Sequence, residues 1–304
     1  MTTPTGKAIS GTAFATLLLI ALMMGANHVA ARIAFNNGVD VATAVVFRSV
    51  VTASVIALIL ASQRLTVSFT ARHKRMLPLI GLLIGIQSLC LYSAVARLPV
   101  ALALLAFNTY PIWTALWAWV VYRQKPEKAM LIAMPVILVG LALALDVFGA
   151  ASGLGASGQW ARIGAGVAFA LAAAGTFGLA LVVTQHEAGD VDARVRTATT
   201  MTMAGLVALA MVASQGGFHL PQAPAGWGGL AALTFLYGTA FTIMFTVLPK
   251  LGVVGNSAIM NVEPVFALVL AWLVLGQSIA PIQVGGALIV VGAVMVLGMR
   301  KRKR

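Results

Sequence analysis

The chain has 304 residues, of which 61% are hydrophobic and 9% charged, with a mean hydropathy of +0.99 and a formal net charge of +13. So apolar a composition excludes an ordinary soluble domain. The only cysteine, Cys90, excludes an intrachain disulfide and a thiolate cluster, and no histidine spacing, phosphate loop or nucleophile elbow is present, so soluble-enzyme chemistry, a bound metal and a cofactor are not expected.

Apolar runs of about 20 residues, the length that spans a hydrocarbon core of roughly 30 Å, recur along the chain. They fall at 12–32, 41–61, 77–96, 99–121, 129–148, 161–184, 197–214, 228–248, 253–275 and 281–299. Backbone polar groups cannot be left bare in lipid, so these segments are predicted to be helices, and the alternating polarity of a β-barrel is absent. The expected fold is therefore an all-α integral membrane protein with ten transmembrane helices. The first run is too long for a signal peptide and carries Asn27 and His28 where a cleavage site needs small residues, so it reads as a span. Arg48 lies inside the second, where it can bind a carboxylate or snorkel towards the outer surface. In the fifth, Pro135 reads as a plain kink.

Charge sets the orientation. Lys7, then Arg64, Arg72, Lys74 and Arg75, then Arg123, Lys125 and Lys128, then Arg194, Arg196, Lys250 and the tail 300–304 all fall on one side if the spans alternate. Arg32, Arg48, Arg97 and Arg162 are left over. Both termini are then predicted to be cytoplasmic, with the basic tail a topology anchor rather than a nucleic-acid site.

The fourth run contains NTYP at 108–111 and the ninth NVEP at 261–264, a shift of 264 − 111 = 153 residues. At that shift YSAVARLPVALALLAFNTYPIWTALWAW lies over FTVLPKLGVVGNSAIMNVEPVFALVLAW without a gap, placing Asn108 on Asn261 and Pro111 on Pro264. The chain thus divides into two halves, 1–149 and 150–304, of five spans each. An odd number of spans turns the second half over, an inverted repeat of the kind secondary transporters use. The loops agree: the basic stretch at Arg72–Arg75 corresponds to QGGFHLPQAPAGWGG, which has no Lys or Arg, and YRQKPEK to LGQSIAP.

Proline lacks an amide hydrogen and clashes with the carbonyl four residues back, so Pro111 frees the carbonyl of Phe107 and Pro264 that of Met260. Freed carbonyls in lipid need the bundle interior or a water-filled cavity, and a matched pair of interrupted spans points to a binding site at the midplane. Glu263 is the acid placed well inside a span; it can hold a substrate ammonium, carry a proton, or pair with Arg48. Asn27 and His28 sit behind a glycine that permits close helix approach. Tyr110, Trp113 and Trp117 share a face of the fourth span, as Tyr237, Phe241 and Met244 do in the eighth, and Tyr92 and Phe177 stand near the same level. Tyr110 and Trp113, beside the break, read as cavity lining; Trp117, Trp119, Tyr122 and Trp272 also suit an interfacial belt.

GANHVAARIA at 25–34, FR at 47–48, and the blocks ending YPIWTALWAW and EPVFALVLAW resemble the drug/metabolite transporter superfamily in its ten-span EamA-type branch, over nearly the whole chain. Within it the sequence looks most like the YddG-type exporters of aromatic and other amino acids. The resemblance implies a small-molecule exporter of the bacterial cytoplasmic membrane, with a monomer able to enclose both halves of a site. Where the family often ends each block with glycine and glutamate, this chain has Arg123-Gln124 and Gly276-Gln277. Exporters of organic cations, nucleotide sugars or other drugs share the architecture. An intramembrane enzyme needs a nucleophile and base or metal ligands converging at one depth, and a channel needs polar rings along a pore; the polar residues here do neither.

Overall fold

Helix signals in the sequence translate directly into element ends. Asp40 accepts a hydrogen bond from the Thr43 amide (3.1 Å) and starts the second helix; Thr70 and His73 form a reciprocal capping box that starts the third; Asp192 accepts from the Arg194 amide (2.8 Å). The computed structural model describes residues 11–63, 69–247 and 258–299. Among them it contains helices α1 (Gly11–Asn36), α2 (Val41–Ser62), α3 (Ala71–Arg97), α4 (Val100–Phe107), α5 (Tyr110–Tyr122), α6 (Lys128–Ala144), α7 (Gly155–Glu187), α8 (Ala193–Ser214), α9 (Pro224–Thr246), α10 (Glu263–Leu275) and α11 (Pro281–Met299). A short 3-10 turn at Ala258–Val262 leads into α10.

Among the described residues seven segments are long and apolar enough to cross a bilayer, counting α4 and α5 as one; α6, α10 and α11 are shorter apolar helices at the remaining predicted runs. The surface is aliphatic, with Leu58, Ile132 and Leu288 more than half exposed, whereas Asn27, His28, Arg48, Ser49 and Thr52 are buried. Such a polarity, apolar out and polar in, suits lipid as the solvent.

Both prolines of the matched pair end up outside any helix interior. α4 stops at Phe107, two residues form a joint, and Pro111 occupies the first turn of α5; Pro264 does the same for α10. There the missing amide costs nothing, because first-turn amides have no partner within the helix. Two donors of the joint find acceptors in α4: the Asn108 amide donates to the Leu104 carbonyl (2.9 Å) and the Thr109 hydroxyl to that of Ala106 (2.8 Å).

The 153-residue shift applies to the helices themselves. Moving α5 from 110–122 by 153 gives the bounds of α10, 263–275; the first residues of α3 and α6 become those of α9 and α11. Packing obeys the same exchange: α1 lies on α9 as α7 lies on α3, while α2 meets its own counterpart α8 and α6 meets α11. Gly25 and Gly178, equivalent positions, make equivalent contacts. A methyl group on Gly25 would come within 3.0 Å of the Ala267 nitrogen and 3.1 Å of the Glu263 carbonyl; one on Gly178 would come within 2.8 Å of the Thr114 nitrogen. Both helix pairs need the hydrogen to approach so closely. α5 and α10 also end alike, in left-handed residues Arg123 (φ 57°) and Gly276 (φ 63°), after which Gln124 and Gln277 donate their amides to Ala118 and Ala271.

The basic stretches differ from their predicted place in loops. Arg72, Lys74 and Arg75 lie on the first turns of α3, and Arg194 and Arg196 on those of α8, because the capping residues lie upstream of the charges. Arg32 donates to the carbonyls of Val95 (2.5 Å) and Leu98 (3.2 Å), closing the C-terminus of α3. Lys7, Arg64, Lys250, the tail 300–304 and the start of the ninth predicted run, 253–257, lie outside the described residues.

Candidate functional site

The close approach of α1 to α10 at Gly25 decides which charges meet. One turn further along α1, His28 Nε2 stands 3.3 Å from Glu263 Oε1, with His28 buried and the Glu263 side chain 22% exposed. Of the roles open to Glu263, pairing with Arg48 is therefore not the one adopted: α10 presents the carboxylate to α1, and the intramembrane acid is held by histidine. Glu263 also sits in the first turn of its helix, where the backbone dipole favours a carboxylate.

Arg48 does not snorkel. It is 3% exposed, and its guanidinium carbon lies 4.4 Å from the ring centre of Tyr92 on α3 and 4.1 Å from that of Tyr237 on α9. Tyr92 in turn donates its hydroxyl to Asn27 Oδ1 (2.8 Å) and meets His28 edge-on, ring centres 5.6 Å apart. Phe241, one turn along α9, stacks on Tyr237 at 4.5 Å. Five elements thus converge on one polar cluster.

Polar groups of this cluster, and two hydroxyls of α2 that face α8 at Gly205 and α9 at Gly238, are unsatisfied. Asn27 Nδ2, His28 Nδ1, Arg48 Nε, Ser49 Oγ and Thr52 Oγ1 are buried and have no hydrogen-bond partner among the described residues. Each such group costs about 1–3 kcal/mol relative to a bonded one, so the cluster gains by receiving a polar molecule. Ser49 and Thr52 are missing from the sequence-based site; the available signal was the spacing that puts Thr52 one helical turn beyond Arg48.

The equivalent positions of the other half have different chemistry. Glu263 corresponds to Tyr110, Arg48 to Met201, His28 to Leu181 and Asn27 to Ala180. Tyr110, Phe107 and Phe177 form an aromatic trio with ring centres 5.2–5.7 Å apart. The Tyr110 hydroxyl donates to Asn261 Oδ1 (3.3 Å), joining the two helix breaks across the halves, and Asn108 is buried in the joint between α4 and α5. Trp113 is placed elsewhere. It packs on α7, its ring 3.6 Å from where a side chain on Gly175 would begin, and Trp117 Nε1 donates to the Gly175 carbonyl (3.0 Å). The glycines of α7 leave a slot the indole fills, so Trp113 faces α7 instead of the trio. Trp119 and Trp272, equivalent positions, are both exposed.

Gln277 Oε1 accepts the Val100 amide (3.1 Å) at the start of α4, a contact between halves, whereas its counterpart Gln124 lies 2.8 Å from His186 Nε2. Among the described residues no group of three or more His, Cys, Asp or Glu is arranged to hold a metal ion.

No curated protein sequence matches this one. Among solved structures, one chain superposes with a TM-score of 0.59 at 16% identity, covering 94% of this chain and 96% of its own length, a likeness of fold alone. The EamA-like transporter family model matches twice, over residues 11–145 and 164–299, the same two halves that the helix register and the exchange of packing partners set apart. A multi-pass bundle with a polar cluster inside an aliphatic surface is what such a transporter requires, and the chain belongs to the EamA-like transporter family.

Proposed function

We propose that this protein exports amino acids, aromatic ones such as phenylalanine included, across a bacterial cytoplasmic membrane by alternating access. The observation that carries the reading is the contrast between the two equivalent half-sites: Arg48, His28, Asn27 and Glu263 in one, Tyr110, Phe107 and Phe177 in the other, joined by the Tyr110–Asn261 hydrogen bond. A molecule with a charged head and an apolar, π-rich tail satisfies both at once. Arg48 binds its carboxylate, Glu263 faces its ammonium, and the trio takes the side chain. The halves 1–149 and 150–304, each of five spans and inverted with respect to one another, rearrange around this level to open it first to the cytoplasm, where both termini lie, and then outside. One chain contains the whole site, so a monomer suffices.

Counterflow in proteoliposomes tests this. Vesicles loaded with unlabelled phenylalanine should accumulate labelled phenylalanine in a protein-dependent manner, competed by other amino acids. Absence of accumulation from folded, monodisperse protein, together with exchange of organic cations or nucleotide sugars in the same vesicles, refutes the amino-acid assignment.

A further inference from the structure

Resting on the proposed amino-acid site, we infer that the carboxylate of the transported molecule is its obligatory recognition element and the amino group is dispensable, so that the site also carries aryl-alkyl monocarboxylates that lack an amine. The two charges of the site are unequally served. Glu263 already has a partner, His28, at 3.3 Å. Arg48 has no carboxylate within ion-pair distance among the described residues; its charge is balanced by the faces of Tyr92 and Tyr237. Aromatic faces stabilise a guanidinium without supplying the paired acceptors that its planar fork is shaped to take.

The same asymmetry appears in the unsatisfied groups. Among the described residues Arg48 Nε is buried without an acceptor, and the hydroxyls of Ser49 and Thr52 on the same helix and the Asn27 amide nitrogen on α1 are likewise unpartnered. All four can donate, Arg48 Nε and the Asn27 nitrogen having no other role and the two hydroxyls by turning, while the fifth unsatisfied group, His28 Nδ1, donates or accepts with its tautomer, so what these groups chiefly lack is an acceptor, and an anionic acceptor best. An incoming ammonium, by contrast, has to share Glu263 with the histidine that holds it. A site built around unpaired donors discriminates strongly against a ligand missing the acceptor, because those donors then stay buried and unpaired, and weakly against one missing a group whose partner is otherwise occupied. The aromatic half-site is indifferent to the amine, being formed of the rings of Phe107, Tyr110 and Phe177.

The experiment uses the full chain in proteoliposomes and three ligands of one skeleton: phenylalanine, 3-phenylpropionate (carboxylate only) and phenethylamine (ammonium only). Each competes against counterflow of labelled phenylalanine, labelled 3-phenylpropionate is then offered to vesicles loaded with the unlabelled acid, and empty liposomes account for passive flux. Ligand-dependent thermal stabilisation of the purified protein gives an independent measure of binding. The expected result is half-inhibition by 3-phenylpropionate within about threefold of phenylalanine, a requirement for at least about tenfold more phenethylamine, and protein-dependent exchange of the acid itself. Competition by phenethylamine but not by 3-phenylpropionate overturns the inference. Exchange of phenylalanine without exchange or binding of the acid overturns it while leaving the amino-acid reading intact; exchange of the acid without phenylalanine upholds the carboxylate site and removes the amino-acid reading; exchange of neither removes both.

Discussion

Replacing Tyr237 by leucine removes one of the two rings that hold Arg48, whose guanidinium carbon is 4.1 Å from the Tyr237 ring centre and 4.4 Å from that of Tyr92. In a desolvated setting a cation over an aromatic face gains about 2 kcal/mol. Arg48 is buried, its Nε unpartnered among the described residues, so the loss is not made up by water and the guanidinium leaves the position in which, on the proposed function, it meets a carboxylate. At 1.4 kcal/mol per factor of ten, half-saturation of phenylalanine counterflow should rise about 10- to 30-fold in Tyr237→Leu. Tyr237→Phe keeps the ring and loses only a hydroxyl whose partner is the Met201 sulfur at 3.7 Å, a weak acceptor, so its change should stay within about threefold. The assay is counterflow over a concentration series, with thermal unfolding in detergent to establish that each variant is folded. A phenylalanine variant as impaired as the leucine variant would refute the reasoning, since the hydroxyl and not the ring would then position Arg48; so would a folded leucine variant with unchanged half-saturation.

The remaining predictions concern packing and the helix ends. Gly178→Ala, whose new methyl would lie 2.8 Å from the Thr114 nitrogen, should destabilise the protein by about 1–3 kcal/mol, and Gly25→Ala, at 3.0 Å from the Ala267 nitrogen, by a similar or smaller amount, as read by unfolding in mixed micelles. Arg123→Gly should stabilise by about 0.5–1 kcal/mol, because Arg123 holds the left-handed conformation that its counterpart Gly276 holds without strain; the reverse change, Gly276→Arg, should cost as much. Asp190, in the loop between α7 and α8, is held below the ordinary carboxylate range by its own backbone amide and by His73 (3.1 Å) and Arg72 (3.5 Å) on α3. A depressed folded-state value gives stability that is present above the unfolded value of about 3.9 and is lost as pH falls through the folded one. The melting midpoint should therefore drop on acidification below about pH 4, and Asp190→Asn should remove that part of the drop.

Much of the architecture was legible because it rests on local chemistry. A proline has no amide wherever it is placed, so the two breaks at Pro111 and Pro264, and with them the 153-residue register, could be read before any packing was known, and the bounds of α5 and α10 coincide under that register. Apolar runs of bilayer length are likewise a property of the chain. Their ends were less legible where caps such as Thr70 and Asp192 extend a helix past the hydrophobic run, which is how the basic residues of α3 and α8 came to lie on helices.

The sequence by itself determined that this protein is a twofold-repeated membrane bundle with two broken segments and a few polar side chains inside it, because hydrophobicity, proline geometry and repeat spacing act along the chain. Only the tertiary structure decided how those side chains are paired. Whether Glu263 met His28 or Arg48 depended on the hydrogen of Gly25 letting α1 close onto a helix more than 200 residues further on, and whether Trp113 joined the aromatic trio depended on the slot at Gly175 and Gly178. Ser49 and Thr52 look like ordinary small residues until the surrounding helices are shown to leave their hydroxyls unpartnered among the described residues. Composition can demand that a buried charge find compensation, but which partner supplies it is set by helix contacts between distant segments, and these are fixed only when the whole bundle packs.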